Sequence, residues 1–440
     1  MTMSIAAGRA PAEQANVRRA VMAATIGTII EWFDYALYGA AAGLIINKLF
    51  FPQFSESAGV LAAFATFAVG FFSRPLGGVL ISHMGDRFGR KPALIFTIAL
   101  MGLSTVAMGL LPTYAQAGLW APVLLVILRL LQGFGAGAEY AGAVTLVAEY
   151  VPPERKAYYT AYLQAATVVG IMLATLMFLL VSYLPEETLF GWAWRVPFLI
   201  SALLFFVALY IRKNLDETPE YVAAMEKAAA NRHEARVPLG ELITKSPKEL
   251  FFGFLSVTGH NANAYILSAF SLSYMTNTLG MSRTDSLTAV MIATLTGIVM
   301  TPPMGALADR IGHARVFLFG AVFVFLYAFP MFALLDTKNV VFATIALSIG
   351  YGIGFGGLAS AQGAFLANLF PTRYRFSGIA MTRELNSLLI AGPTPFIAAA
   401  LVSAGGGKPG LVVAYLMLCC AISAIAILAA RSRSFERGAD

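Results

Sequence analysis

Charge is scarce in this 440-residue chain: Asp, Glu, Lys and Arg together make up 12% of it, against about a quarter in a soluble globular domain. Apolar residues make up 58%, so the chain reads as an integral membrane protein. Cysteine is almost missing. The only two, Cys419 and Cys420, are neighbours in an apolar run, which excludes a disulfide framework and, by spacing, a metal site. No metal-spaced His and Cys cluster, no Gly-x-Ser-x-Gly with a partner His and no phosphate-binding loop is present, so the sequence offers no constellation for an enzyme and calls for no cofactor. The net charge of +7 does not argue for nucleic acid, because the basic residues are scattered between apolar runs with no aromatic-rich binding module around them. They read as topology determinants. No small-residue cleavage site follows a short apolar stretch near the start, and the first apolar run is long enough to span, so insertion without processing is expected.

Apolar runs of about 20 residues, bounded by charge, Pro or Gly, mark spans near 20–46, 58–82, 92–111, 119–147, 158–184, 193–212, 249–278, 286–308, 315–335, 339–368, 377–402 and 410–430. The expected fold class is therefore an all-α membrane protein of twelve transmembrane helices. With the N-terminus inside, 22 of the 30 Lys and Arg fall in inward segments and 5 in outward ones, which places both termini in the cytoplasm of a bacterial-type inner membrane. The domain plan is a cytoplasmic N-terminal segment 1–19, a six-helix half 20–212, a cytoplasmic central loop 213–248, a second six-helix half 249–430 and a cytoplasmic tail 431–440. That central loop is too short and too charged to be the output domain of a sensor.

The halves repeat each other. "GDRFGRK" at 85–91 answers "ADRIGHA" at 308–314 at an offset of 223, whereas "GFGAG" at 133–137 answers "GIGFG" at 352–356 and Pro152 answers Pro371 at an offset of 219. Parallel repeats of six spans are one architecture by which carriers build a midplane site that opens to alternate sides. In the first loop Gly89 allows a tight backbone, Asp86 can cap a helix or bond Arg87 or Arg90, and a topogenic basic turn is the competing reading. The return of the pattern as Asp309, Arg310 and Gly312 favours a gate, with a weaker latch expected where the basic pair becomes His313 and Ala314.

These loops resemble the signature Gly-x-x-x-Asp-Arg-x-Gly-Arg-Lys of the major facilitator superfamily, with Ser82 in place of the first Gly. "EWFDYALYG" at 31–39, "FFP" at 50–52, "SRPLGG" at 73–78, "RLLQGFGAGAEYAGA" at 129–143, "WAWRVPF" at 192–198 and "ETPEY" at 217–221 are similar to the metabolite:proton symporter family within it. The resemblance implies the major facilitator fold of two pseudo-symmetric halves. It also implies proton-coupled carriage of small metabolites such as citrate, 2-oxoglutarate, shikimate, aromatic acids, proline or betaine. It is specific in the first half and looser in the second.

Seven ionisable residues fall within spans: Glu31, Asp34, Arg74, Arg129, Glu139, Arg383 and Glu384. Exposing all of them to lipid would cost about 20 kcal/mol at roughly 3 kcal/mol each, so they face the bundle interior, a partner or water. Glu31 and Asp34, three apart, are expected to share a helix face, where two carboxylates in a low dielectric resist ionising together and suit a proton site. The alternative is structural: Asp34 paired with an Arg, and Glu31 bonded to a hydroxyl. Gly133, Gly137 and Ala141 recur every four residues as a smooth packing stripe. Arg129 and Glu139 flank it, and their counterparts in the second half are Ser348 and Leu358. The glycines are therefore read as architecture in both halves and the charges of the first half as coupling, with Arg129 near a carboxylate. Arg74, before Pro75, either snorkels to headgroups, stabilises a kink or touches substrate.

Candidate substrate contacts in the second half are mostly neutral. Asn261, Tyr265 and Ser268 fall on one face of the seventh span, near His260 and Asn263, and either line a cavity or bond neighbouring helices. Gln362 joins from the tenth span. Arg383 and Glu384 in "TRELNSLL" depart from the family, and adjacency on a helix does not pair them. Arg383 answers Gln164 at the 219 offset, and its guanidinium suits a carboxylate substrate, though Glu139 or a lipid phosphate are alternatives. The expected function is import of a small organic acid with protons by a monomer embedded in lipid. A zwitterionic osmolyte such as proline or betaine, or a metabolite or drug antiporter, are the alternatives. The absence of Pro between Tyr158 and Tyr183 disfavours the drug exporters, which often carry a Gly-Pro kink in the fifth span.

Overall fold

The computed structural model describes residues 11–88, 90–137, 151, 153–214, 239–371 and 375–436. In chain order the membrane helices are α1 (Thr25–Phe50), α2 (Glu56–Ile81), α3 (Ile95–Leu110), α4 (Trp120–Ala136), α5 (Lys156–Ser182), α6 (Ala193–Tyr210), α7 (247–278), α8 (Arg283–Ile311), α9 (His313–Leu335), α10 (Val340–Leu369), α11 (Ser377–Ala404) and α12 (Gly410–Ala430). Nine of them are single helices long and apolar enough to cross a membrane, α3 and α4 are shorter apolar helices, and α7 is assembled from pieces. The expected fourth span runs on to 147, but residues 138–150, Glu139 and Ala141 among them, lie outside the described residues, as does Gly89.

Helix starts follow local chemistry. Ser55, Ser282 and Asn339 each turn a side-chain oxygen onto an orphan backbone N–H at the starts of α2, α8 and α10, at 3.4, 3.0 and 2.9 Å. A single residue, Gly312, separates α8 from α9 with φ of +105°, a conformation that side chains resist and glycine accepts.

The seventh span is not the continuous helix expected from its hydropathy. It breaks at Val257, and wider π-type turns follow at Ile266–Phe270 and Tyr274–Thr278. Backbone groups freed by a break within lipid must be satisfied by neighbours. From α12, Ser423 Oγ accepts from Gly259 N at 2.7 Å and donates to Leu255 O at 3.0 Å. From α11, Asn386 Nδ2 donates to Phe254 O at 2.9 Å and to Thr258 Oγ1 at 3.0 Å. Similar π-type turns interrupt α1 at Ala42–Ile46, α10 at Gly350–Phe355 and α11 at Ser387–Ala391. Such turns concentrate where helices line functional sites.

The two halves meet along α5 with α8 and α10, α1 with α7, and α2 with α11. Contacts close both ends of this seam. At one end Gly305 of α8 lies so near α5 that an added Cβ would stand 2.7 Å from Ala157 O. At the other, Asn277 Nδ2 donates to Gly43 O at 2.7 Å, and Arg283 pairs with Glu186. Between them sits a chamber walled by Trp32, Tyr35 and Gly39 of α1, Phe67 of α2, Ile171 and Thr175 of α5, and Tyr265 and Ser268 of α7.

Candidate functional site

Glu31 and Asp34 are both buried in the middle of α1, and both border a second cavity between α1, α3 and α6. Their polar partners differ, which a shared helix face did not anticipate. Glu31 Oε1 lies 3.7 Å from Arg74 Nη2. Asp34 Oδ1 instead accepts from Ser201 Oγ of α6 at 2.5 Å, with the Thr105 hydroxyl of α3 as a second partner. The partners named in the structural alternative are exchanged: the arginine lies beside Glu31 and the hydroxyls beside Asp34. The reason is that α2 packs beside one flank of α1, and α3 and α6 beside the other.

Arg74 neither snorkels nor stays within its own half. It is buried, and its Nε donates to Glu384 Oε2 of α11 at 3.2 Å while its Nη2 reaches Glu31. The guanidinium also lies over the Tyr35 and Phe71 rings, 5.2 and 5.6 Å from their centroids. Arg129 was expected near a carboxylate; Glu139, one of the three candidates, lies outside the described residues. Fully buried, Arg129 donates to Phe67 O at 2.8 Å, to Thr66 O at 3.5 Å and to Gln132 Oε1, and stacks 4.2 Å from the Tyr38 centroid. Among the described residues none of these partners is a carboxylate, because α4 presses so closely on α2 that the guanidinium meets backbone carbonyls first. Gln132, which also donates to Thr105 Oγ1 at 2.8 Å and to Asp34 O at 3.5 Å, connects Arg129 to the surroundings of Asp34. Sequence reasoning passed over Gln132, Thr105 and Ser201; a polar residue three positions from Arg129 was the available signal for the first.

Across the chamber, Tyr265 packs its ring against Trp32, Phe67 and Phe71, with centroids 6.2, 5.8 and 5.7 Å away. Ser268 joins it on the chamber wall. Asn261 bonds a neighbouring helix, one of its two expected uses: it donates to Asn386 Oδ1 at 2.6 Å and so helps hold the α7 break to α11. Arg383 is buried on α11, and its charge acts on His260 and Tyr265 of α7. Gln164 and Gln362 are buried too. Among the described residues the amide nitrogen of Gln164, both amide atoms of Gln362, Nδ1 of His260, Nδ2 of Asn263 and the Tyr351 hydroxyl have no hydrogen-bond partner. Buried polar atoms of that kind are costly unless water or a ligand completes them, so these groups, Gln164 from the first half and the others from the second, are suited to a polar guest.

Of the two repeated loops, the side chains of Asp86, Arg87 and Arg90 lie outside the described residues. Asp309 is well placed. Its two carboxylate oxygens accept from Ala157 N and Tyr158 N, each at 2.9 Å, at the start of α5, and His313 Nε2 stands 3.1 Å from Oδ1. Negative charge on a helix start, with two backbone donors, makes a clasp between the halves that does not need the missing basic pair. The expected comparison, a weaker second latch than the first, rests on side chains of the first loop that lie outside the described residues. Arg310 points to the surface.

A family model described as Major Facilitator Superfamily matches residues 24–393 and, in a second match, 253–436. The Shikimate transporter of Escherichia coli (strain K12) is 37% identical over 421 residues, covering 94% of each chain. Inner membrane metabolite transport protein YhjE of the same organism is 37% identical over 424 residues, again covering 94% of each. The Proline/betaine transporter of Salmonella typhimurium is 34% identical over 397 residues, 89% of this chain and 79% of the relative. Among solved structures, a D-xylose-proton symporter superposes with a TM-score of 0.72 at 18% identity, covering 94% of this chain and 97% of its own; that likeness concerns the fold.

Proposed function

The chain belongs to the Major Facilitator Superfamily and is a multi-pass membrane transporter rather than an enzyme, and from that premise we propose that it imports a small organic acid together with protons by alternating access. The observation that carries this reading is the pair of buried guanidinium groups, Arg74 and Arg383, held near the central chamber where a carboxylate would dock. Gln164, Gln362 and Tyr265 supply the polar and aromatic remainder of the site. Asp34 and Glu31, which share a cavity beside α1, form the proton path, with Glu139 as its further candidate and Arg129 as the scaffold behind it. Asp309 and its counterpart Asp86 act as clasps that release and re-form. Both termini lie in the cytoplasm, the two six-helix halves flank the 213–248 loop, the proton gradient replaces any cofactor, and the working unit is a monomer in lipid.

The test is uptake of labelled shikimate and labelled glycine betaine into proteoliposomes with an inward proton gradient. Shikimate accumulation that collapses with a protonophore is expected. Betaine accumulation without any for shikimate would replace this reading by a second one, which the aromatic wall of Trp32, Tyr35, Phe67 and Tyr265 favours because such rings hold quaternary ammonium groups.

A further inference from the structure

Among the described residues, Arg74 is the one cation ion-paired with carboxylates from both halves: Glu31 on α1 and Glu384 on α11. Resting on the organic-acid reading above, we propose that a substrate carboxylate displaces Glu384 from Arg74 and that the released Glu384 takes up the co-transported proton.

The two carboxylates are not equivalent. Glu31 sits on the same half as Arg74 and moves with it, so rocking of the halves leaves that pair intact. Glu384 belongs to the other half. Its contact with Arg74 Nε at 3.2 Å must break whenever α2 and α11 separate, and its side chain is 15% exposed against 3% for Glu31. Arg74 uses Nε on Glu384 and Nη2 on Glu31 and on Ala136 O, so an incoming carboxylate that takes the place of Glu384 gains the Nε side of the fork for a two-point grip and leaves the pair with Glu31 in its own half.

Charge balance then supplies the coupling. Among the described residues three basic groups, Arg74, Arg129 and Arg383, stand against three acidic ones, Glu31, Asp34 and Glu384, and Arg74 and Arg383 are the cations that act on Glu384. The other ionisable groups described in the surroundings are Tyr35 and Tyr38 on α1, Tyr265 and His260 on α7, Lys248 and Glu249 at the start of α7, and Tyr351 on α10. A guest carboxylate on Arg74 would leave Glu384 ionised without that partner inside the bundle, an arrangement that membranes penalise. Capture of one proton by the Glu384 carboxylate, reached from water by way of Asp34 and Glu31, forms one O–H bond and restores the balance. On the far side the substrate leaves, Glu384 gives its proton to water and re-pairs with Arg74. A zwitterion brings its own cation and requires no such proton.

The experiment uses the full-length protein in detergent, weakly buffered, with a pH indicator and parallel calorimetry. The probes are shikimate, benzoate and glycine betaine. One proton is expected to be taken up for each acid bound and none for betaine. Glu384→Gln is expected to bind the acids several-fold more tightly, since glutamine competes poorly for Arg74, and to take up no proton; Glu384→Asp is expected to restore uptake. Acid binding without proton uptake in the wild type, or uptake that persists in Glu384→Gln, overturns the exchange while leaving the organic-acid reading in place. If the Gln variant does not fold, the wild-type stoichiometry and the Asp variant decide. A wild type that binds betaine and neither acid overturns both.

Discussion

The two halves carry the same glycine pattern and use it differently. In α4, a Cβ on Gly133 would stand 1.7 Å from Gly70 O and one on Gly137 2.0 Å from Arg74 O, so α2 and α4 touch backbone to backbone. Their counterparts on α10 have room: a Cβ on Gly352 would lie no nearer than 3.6 Å to Met300 and one on Gly356 no nearer than 3.7 Å to Met304, ordinary van der Waals distances. The tight half is also the half in which Arg129 and Asp34 are fully engaged. The looser half holds Gln362, Nδ2 of Asn263 and the Tyr351 hydroxyl, which have no hydrogen-bond partner among the described residues, as the Tyr35 hydroxyl and the Gln164 amide nitrogen have none in the first. A repeat in sequence thus gives a rigid cradle for charge on one side and an adaptable polar wall on the other.

Substituting the glycines breaks that comparison most directly. Gly133→Ala forces α2 and α4 apart and is expected to cost about 3 kcal/mol or more, with little folded protein recovered, whereas Gly352→Ala should stay within ~0.5 kcal/mol of wild type. Membrane abundance and melting temperature measure both, and equal losses would remove the asymmetry. The next largest effect concerns transport. Asp34→Asn keeps a neutral acceptor for Ser201 and is expected to abolish proton-driven uptake while substrate counterflow without a gradient persists. Glu31→Gln, which strips one partner from a buried arginine, should lower abundance, uptake and counterflow together. Parallel behaviour of the two variants would mean that their different partners are irrelevant to coupling.

Smaller changes sharpen the same contrast. Arg129→Lys retains the charge but loses the planar fork that reaches two backbone carbonyls and Gln132, so about 1.5–3 kcal/mol of stability should go. Uptake and counterflow are expected to fall in proportion to abundance. Loss of uptake alone would return Arg129 to direct coupling. Asp309→Asn should have the least effect on folding, weakening the clasp on α5 by about 1–2 kcal/mol at unchanged abundance. Its readout is faster alkylation of a cysteine placed at Ala161; an unaltered rate would show that the clasp does not hold the seam shut.

Much of the architecture was legible before any fold was known. Twelve apolar runs, the repeated loops and the glycine spacing are local or periodic signals, and scarce charges in a lipid-solvated chain had to turn inward. The inward turn of Glu31, Asp34, Arg74, Arg129 and Arg383 follows from that cost alone. Their partners did not follow. Arg74 meets Glu384 across 310 positions, and Asp34 meets Ser201 across 167. The break in α7 was hidden for the same reason, since Ser423 and Asn386, which satisfy the freed backbone, lie on other helices. Hydropathy reports how a segment partitions between lipid and water, one segment at a time. Which flank of α1 faces α2 and which faces α3 and α6 is set by helix against helix packing, and only that packing decided that one carboxylate of "EWFDY" would hold an arginine and the other a pair of hydroxyls.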